Sequence, residues 1–462
     1  MKTKILMAAA VICICGCGKD SPSDPSDDEN PTTPVPTPYL SLGTTNKQVS
    51  DAAGNFEVLL SANVAWTATI HDEWLSLSQL SGNTGMVLRI AYAENTSHKT
   101  RNGRISFVAK DLPTVEIIVL QSNQTFTNPL GGVPDPWILK YQNGYYLCKA
   151  HGDAINISRS DKLSVLASTQ TVWNCPVDNG SIKPWNVAHV WAPELHKATD
   201  GRWYIYYTAG RPSSEAGGGY TNQRSGVLRA KTDDPTGEWE DMGMLYSGKN
   251  YTPGIVASRS NTFYAIDLHP FVLNGKMYAV WSGVASDDPG QCLYLSEMSN
   301  PYTMSSSGVK ISTADQPWEK VSSSINEGPA TLKKGNNLYI VYSCNGSWTK
   351  DYRLGYIVLN DTTKNPMIAS NWQKSPSQVF YRCDNTADKD GVNGVGHCSF
   401  TKSPDGKEDW IVYHVKNRND PTYASGRSTF IQRFTWKADD TPDFGTPVGW
   451  GEPVIVPSGE QE

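Results

Sequence analysis

Residues 135–147 read DPWILKYQNGYYL: a proline turn, a run of β-forming side chains, a turn containing glycine, and an aromatic strand. Two such runs split by a Gly turn mark a β-hairpin. The plan returns at 192–208 (APELHKATDGRWYIYYT), 269–283 (HPFVLNGKMYAVWSG), 328–343 (GPATLKKGNNLYIVYS) and 396–415 (GHCSFTKSPDGKEDWIVYHV). Successive copies start 57 to 77 residues apart. A unit of that length holds a four-stranded blade, so the spacing predicts a five-bladed β-propeller over residues 123–462. A solenoid would repeat at shorter, more even intervals. In a propeller the innermost strands line the axis, and residues at the start of each copy converge. Those residues are Asp135, Glu194 (shifted by two), Asp267, Glu327 and His397. Burying several carboxylates beside a histidine is costly unless they do something.

Upstream, residues 39–122 alternate with period two. Trp66, Ala68 and Ile70 are separated by threonines, and Leu88, Ile90 and Tyr92 follow the same rule. So do Ile105 and Phe107, then Val115, Ile117 and Val119. Alternation buries one face of each strand, which predicts a small immunoglobulin-like β-sandwich before the propeller. The whole chain is therefore expected to be all-β. The runs AWTATIHDEWLSLSQLSGNTG, AENTSHKTRNGRISFVA and VLQSNQ resemble a BACON domain, a family named for an expected carbohydrate-binding role. A rigid spacer is the preferred reading.

Residues 1–17 read as a lipoprotein signal peptide. Lys2 and Lys4 precede the apolar run ILMAAAVICIC, too short for a permanent membrane span. The following Cys17 resembles a lipidation site. Residues 18–38 carry five acids, one Lys and many prolines, and are expected to be a disordered tether. Together these features predict an outer-membrane lipoprotein held by the lipid on Cys17 and facing outward. Six cysteines remain, none in a CxxC pair, so no zinc site is expected.

The net charge of −6 is modest and concentrated in the tether, with no basic block, so no nucleic-acid partner is expected. The folded remainder is near neutral, which suits a neutral substrate. The 15 Trp exceed what turns and strands need, and indole faces serve as platforms for sugar rings.

The five repeats resemble glycoside hydrolase family 43 across residues 124–457. The matching motifs are Val133-Pro134-Asp135-Pro136-Trp137, Trp191-Ala192-Pro193, Ala265-Ile266-Asp267, Asn326-Glu327-Gly328-Pro329 and Gly396-His397. Each alone is a plain turn signal, but their order on one repeat is specific. The resemblance implies inverting glycoside hydrolysis, with Asp135 as general base, Glu327 as general acid and Asp267 as the anion that raises the pKa of Glu327. It implies that Trp191 walls the terminal sugar. In GRSTFIQRFTW, it implies that Arg427 approaches sugar hydroxyls and the acid. His397 would help to hold a structural calcium in the central channel, while the chemistry itself needs no cofactor. Cys398 departs from the polar residues that usually follow this His.

The stretch 326–356 looks most like arabinan-active members. The expected activity is that of an α-L-arabinofuranosidase acting as a monomer on plant cell-wall polysaccharide. β-Xylosidase and endo-arabinanase activity are the alternatives within the family, and a non-catalytic surface glycan-binding protein is the alternative outside enzymology.

Overall fold

A computed structural model of the chain describes residues 37–97, 99–122, 124–215, 218–386, 390–419 and 426–460. Cys17 and almost all of the expected tether lie outside the described residues. The fold is all-β. Among the described residues, helix is confined to three 3₁₀ turns, at Tyr220–Asn222, Pro317–Glu319 and Ala369–Asn371.

The alternating segment forms two sheets. In one, Gly54–Ala62 and Met86–Tyr92 lie between Leu40–Leu42 and Leu75–Leu77. In the other, Asn46–Val49, Val115–Gln121, Arg101–Ala109, Trp66–Ile70 and Ser81–Gly82 pair in that order. The inward residues read from the sequence fill the space between. Trp66, Leu88, Ile90, Ile105, Phe107, Ile117 and Val119 are buried, with Trp66 edge-on to Phe107. Full burial of each large side chain stabilises by roughly 1.5–3 kcal/mol, which is why one slip of register would be expensive.

Each quoted repeat begins one of five antiparallel meanders. Their first strands are Trp137–Tyr141, Ala188–Lys197, Tyr264–Leu273, Asn326–Lys334 and Val392–Lys402. We number the meanders as sheets one to five. An apolar layer separates each neighbouring pair. Ile155 and Ile157 of sheet one meet Ile205 and Leu228 of sheet two. Tyr204 and Val227 meet Trp281 and Tyr294 of sheet three. Leu293 and Leu295 meet Ile340 and Ile357 of sheet four, and Val341 and Leu354 meet Val395 and Tyr413 of sheet five. A fifth layer, Ile138 and Leu147 against Trp410 and Val412, joins sheet five back to sheet one. The sheets therefore close on themselves, and the segments Thr125–Thr127 and Pro453–Ile455 pair as a latch between the two ends of this region.

The sandwich is docked onto the ring. From Tyr39 onward the chain forms one unit. Thr45 Oγ1 donates to Asp443 Oδ2 at 2.5 Å, Asn46 Nδ2 to Thr435 Oγ1 at 2.5 Å, and the Ile455 N–H to Gln48 Oε1 at 3.1 Å. Cys148, Cys175, Cys292, Cys344, Cys383 and Cys398 form no disulfide.

Candidate active site

The first strands of sheets two to five are interrupted at one place, and that of sheet one starts just after the matching residue. Asp135, Ala192, Asp267, Gly328 and His397 all have left-handed backbones, with φ of 50°, 39°, 55°, 56° and 48°. In sheets two to five the strand register shifts there, as a β-bulge. Positive φ in four non-glycine residues is uncommon, and such strain clusters at functional sites. The bulge re-aims side chains. Asp135, Asp267 and His397 at the left-handed position, with Trp191 and Glu327 just before it, all line one cavity of about 770 Å³. Arg427 lines it too, so six residues singled out in the sequence meet in one place.

Asp135 lies against Arg427 and two histidines, and its backbone N–H donates to His414 Nδ1 at 3.2 Å. Arg427 Nη1 donates to its Oδ1 at 2.5 Å, His414 Nδ1 lies at 3.1 Å, and His397 Nδ1 at 3.4 Å. Burial works to raise the Asp135 pKa, but Arg427, His397 and His414 together hold it well below the usual carboxylate range. Burial pushes His414 down to about 3, so its ring is neutral. Tyr352 stacks on that ring at 5.3 Å and 5°. Tyr352 reaches this position only because residue 396 is glycine, since a Cβ there would lie 2.3 Å from the tyrosine ring.

Glu327 has the opposite electrostatics. Burial, aided by the charge on Asp135, raises its carboxyl to about 7 against the influence of Tyr352, Gln291 and Arg427. Gln291 Nε2 donates to its Oε2 at 2.9 Å. One carboxylate is thus ionised at all working pH values while its neighbour keeps a proton up to neutrality, the division that acid–base catalysis needs.

Asp267 differs from expectation. Burial and the charges of Glu327 and Asp135 push Asp267 well above the usual range, so Asp267 itself favours the protonated form. Its Oδ2 accepts the Gly328 N–H at 3.0 Å, which fixes the backbone next to Glu327. The acid is raised chiefly by burial, with Asp135 as the anion.

His397 sits among the carboxylates, 4.0 Å from Asp267 Oδ2, with its N–H donating to Ser343 Oγ at 2.7 Å. The residues grouped as metal ligands are others: Glu194, His196 and His269, with donor atoms within 4.8 Å of one another. His196 and His269 face a separate cavity of about 370 Å³. Glu194 is therefore not equivalent to the acids. Counted from the left-handed residue, it matches His269, one bulge further along. Trp191 packs at 5.4 Å from Tyr220, and exposed Tyr220 and Trp348 stand at the cavity rim. Sequence reasoning missed Gln291, Tyr352, His414, Tyr220 and Trp348.

Five meanders closed into a ring, with ionised and protonated carboxyls facing one cavity, define a class of protein built for acid–base chemistry on a neutral ligand. The chain belongs to glycosyl hydrolases family 43, which residues 126–442 match. Residues 40–123 match the viral BACON domain. The chain is 34% identical over 339 residues to the extracellular exo-α-(1→5)-L-arabinofuranosidase of Streptomyces avermitilis, covering 71% of this chain and 64% of that one. It is 32% identical to α-L-arabinofuranosidase B of Pyricularia oryzae, covering 68% and 61%. The matched region thus spans under two thirds of either relative. The crystal structure of α-L-arabinofuranosidase from Lactobacillus brevis superposes with a TM-score of 0.61 at 29% identity, covering 71% of this chain and 98% of that one.

Proposed function

We propose that the five sheets are the blades of a β-propeller and that the chain is an exo-acting, inverting α-L-arabinofuranosidase on arabinan-type plant polysaccharide. The observation that carries this reading is the opposed protonation of Asp135 and Glu327 in one cavity. Relatives named for exo-α-(1→5)-L-arabinofuranosidase activity support the substrate.

In the proposed reaction Asp135 takes a proton from water as the water oxygen attacks the anomeric carbon. Glu327 gives its proton to the departing glycosidic oxygen as that bond breaks. One proton enters the protein and one leaves, so a proton exchange with solvent resets the pair. Arg427 and His414 orient Asp135, Asp267 steadies the Glu327 backbone through Gly328, and Trp191 offers an apolar face to the terminal sugar. No cofactor takes part in these steps.

The test is the purified chain against aryl α-L-arabinofuranoside, aryl β-xyloside, and linear and branched arabinan, with products resolved by size. Free arabinose alone is expected. Xylose release would favour a β-xylosidase, larger products an endo-arabinanase, and binding without turnover a glycan-binding protein. We also propose anchoring to the outer membrane through lipid on Cys17. Cys17→Ala should release the protein from the membrane fraction, and pelleting like the wild type would count against the anchor.

A further inference from the structure

We propose that Glu194, His196 and His269 form a three-ligand site for a zinc-type transition metal, set apart from the catalytic cavity and unsuited to calcium. Glu194 and His196 stand two apart on the first strand of sheet two, so they share a face, and His269 comes from the first strand of sheet three. Glu194 Oε2 lies 2.8 Å from His196 Nε2 and 2.9 Å from His269 Nδ1. Two imidazoles and one carboxylate are the protein half of a four-coordinate zinc site that keeps one position for water. Calcium prefers six to eight oxygen ligands, and only one of these three donors is oxygen. The calcium expected at the ring centre therefore does not fit this cluster.

The surroundings are those of a built site. Glu194 and His269 are each 4% exposed, whereas His196 faces the 370 Å³ cavity, which supplies room for a water ligand and a path of entry. His269 Nε2 is 2.8 Å from Thr331 Oγ1, the outer hydrogen bond that turns the opposite ring nitrogen toward a metal. The Trp137 ring flanks both imidazoles, at 4.8 Å from His196 and 5.3 Å from His269. A metal here would tie sheet two to sheet three across the ring centre and stabilise the ring without touching the chemistry. The competing arrangement is metal-free, with both imidazoles donating to Glu194. The Thr331 N–H at 3.2 Å from His269 Nε2 is compatible with that state.

The full-length chain, stripped with a chelator and dialysed, distinguishes the two. Titration with Co²⁺ should give the intense visible bands of a four-coordinate ion at one equivalent, and Zn²⁺ should displace it. Zn²⁺ should raise the melting temperature where equimolar Ca²⁺ does not. Thr331→Val should weaken Zn²⁺ binding roughly 10–100-fold. His196→Gln should abolish the Co²⁺ bands, and because His196 is the least buried of the three, this variant keeps the test open if His269→Gln fails to fold. Stabilisation by Ca²⁺ with no Co²⁺ bands, or no metal bound at all by the folded wild type, would overturn the proposal.

Discussion

Arg427 Nη1 donates to Asp135 Oδ1 at 2.5 Å, joining residues 292 positions apart in the chain. The pair links the first sheet to the last and favours the ionised form of Asp135. Arg427→Met should therefore lower activity while moving the acidic limb of the kcat/KM profile upward, since Asp135 loses the first cation that opposes its burial. Arg427→Lys, which restores the charge without the planar fork, should recover part of the pH shift. An unchanged acidic limb in the methionine variant would show that the pair does not set the charge of Asp135.

Glu327 must be protonated to act, and its carboxyl titrates near 7, so activity should fall as pH rises through neutrality. Burial and the neighbouring carboxyl charges raise Asp267 too, toward the neutral form. Asp267→Asn should then reduce kcat, by loosening the Gly328 amide, while leaving the alkaline limb close to 7. A limb displaced downward by about one pH unit, which is 1.36 kcal/mol, would mean that Asp267 carries charge when Glu327 titrates.

The same carboxyl should cost stability. Its folded value lies above the ordinary 4.5, so the unfolded chain ionises first and folding weakens as pH climbs from about 4.5 to 7. Above that window the penalty is complete, on the order of 3 kcal/mol for a shift of this size. Glu327→Gln should melt higher than wild type at pH 8 and close to it at pH 4. Equal melting temperatures at pH 8 would show that burial does not strain this acid.

Gly396→Ala places a methyl against the Tyr352 ring and must displace the stack on His414 behind Asp135. A misplacement of that kind, away from the reacting atoms, can cost up to about 10²-fold in kcat/KM. The measurement pairs kinetics with circular dichroism. A folded variant with full activity would remove Tyr352 and His414 from the account.

The five hairpins and the alternating strands of the sandwich were legible because period-two patterning and Gly turns are local. Asp135, Asp267 and Glu327 were legible because each opens a repeat. Trp191, Arg427 and His397 reached the same cavity, although His397 meets the carboxylates rather than the Glu194 cluster. Glu194 stands two residues past the start of its copy and reads as structural in the sequence, and it lies outside the catalytic cavity. The X-Pro dipeptides align Ala192 with His269, and only the left-handed backbones at Ala192 and Asp267 give the count that pairs Glu194 with His269. Gln291, Tyr352 and His414 lie on later strands or loops, where no repeat marks them, and their roles follow only from packing across sheets.

The central claim is the division of labour between Asp135 and Glu327, and leaving-group dependence tests it most directly. The measurement is kcat/KM of Glu327→Gln and Asp135→Asn on a linear arabino-oligosaccharide and on an aryl arabinofuranoside whose leaving group needs no protonation. Glu327→Gln should lose about 10²–10⁴-fold on the oligosaccharide and far less on the aryl substrate, whereas Asp135→Asn should collapse on both. Equal losses on the two substrates for Glu327→Gln would contradict the assignment of the acid.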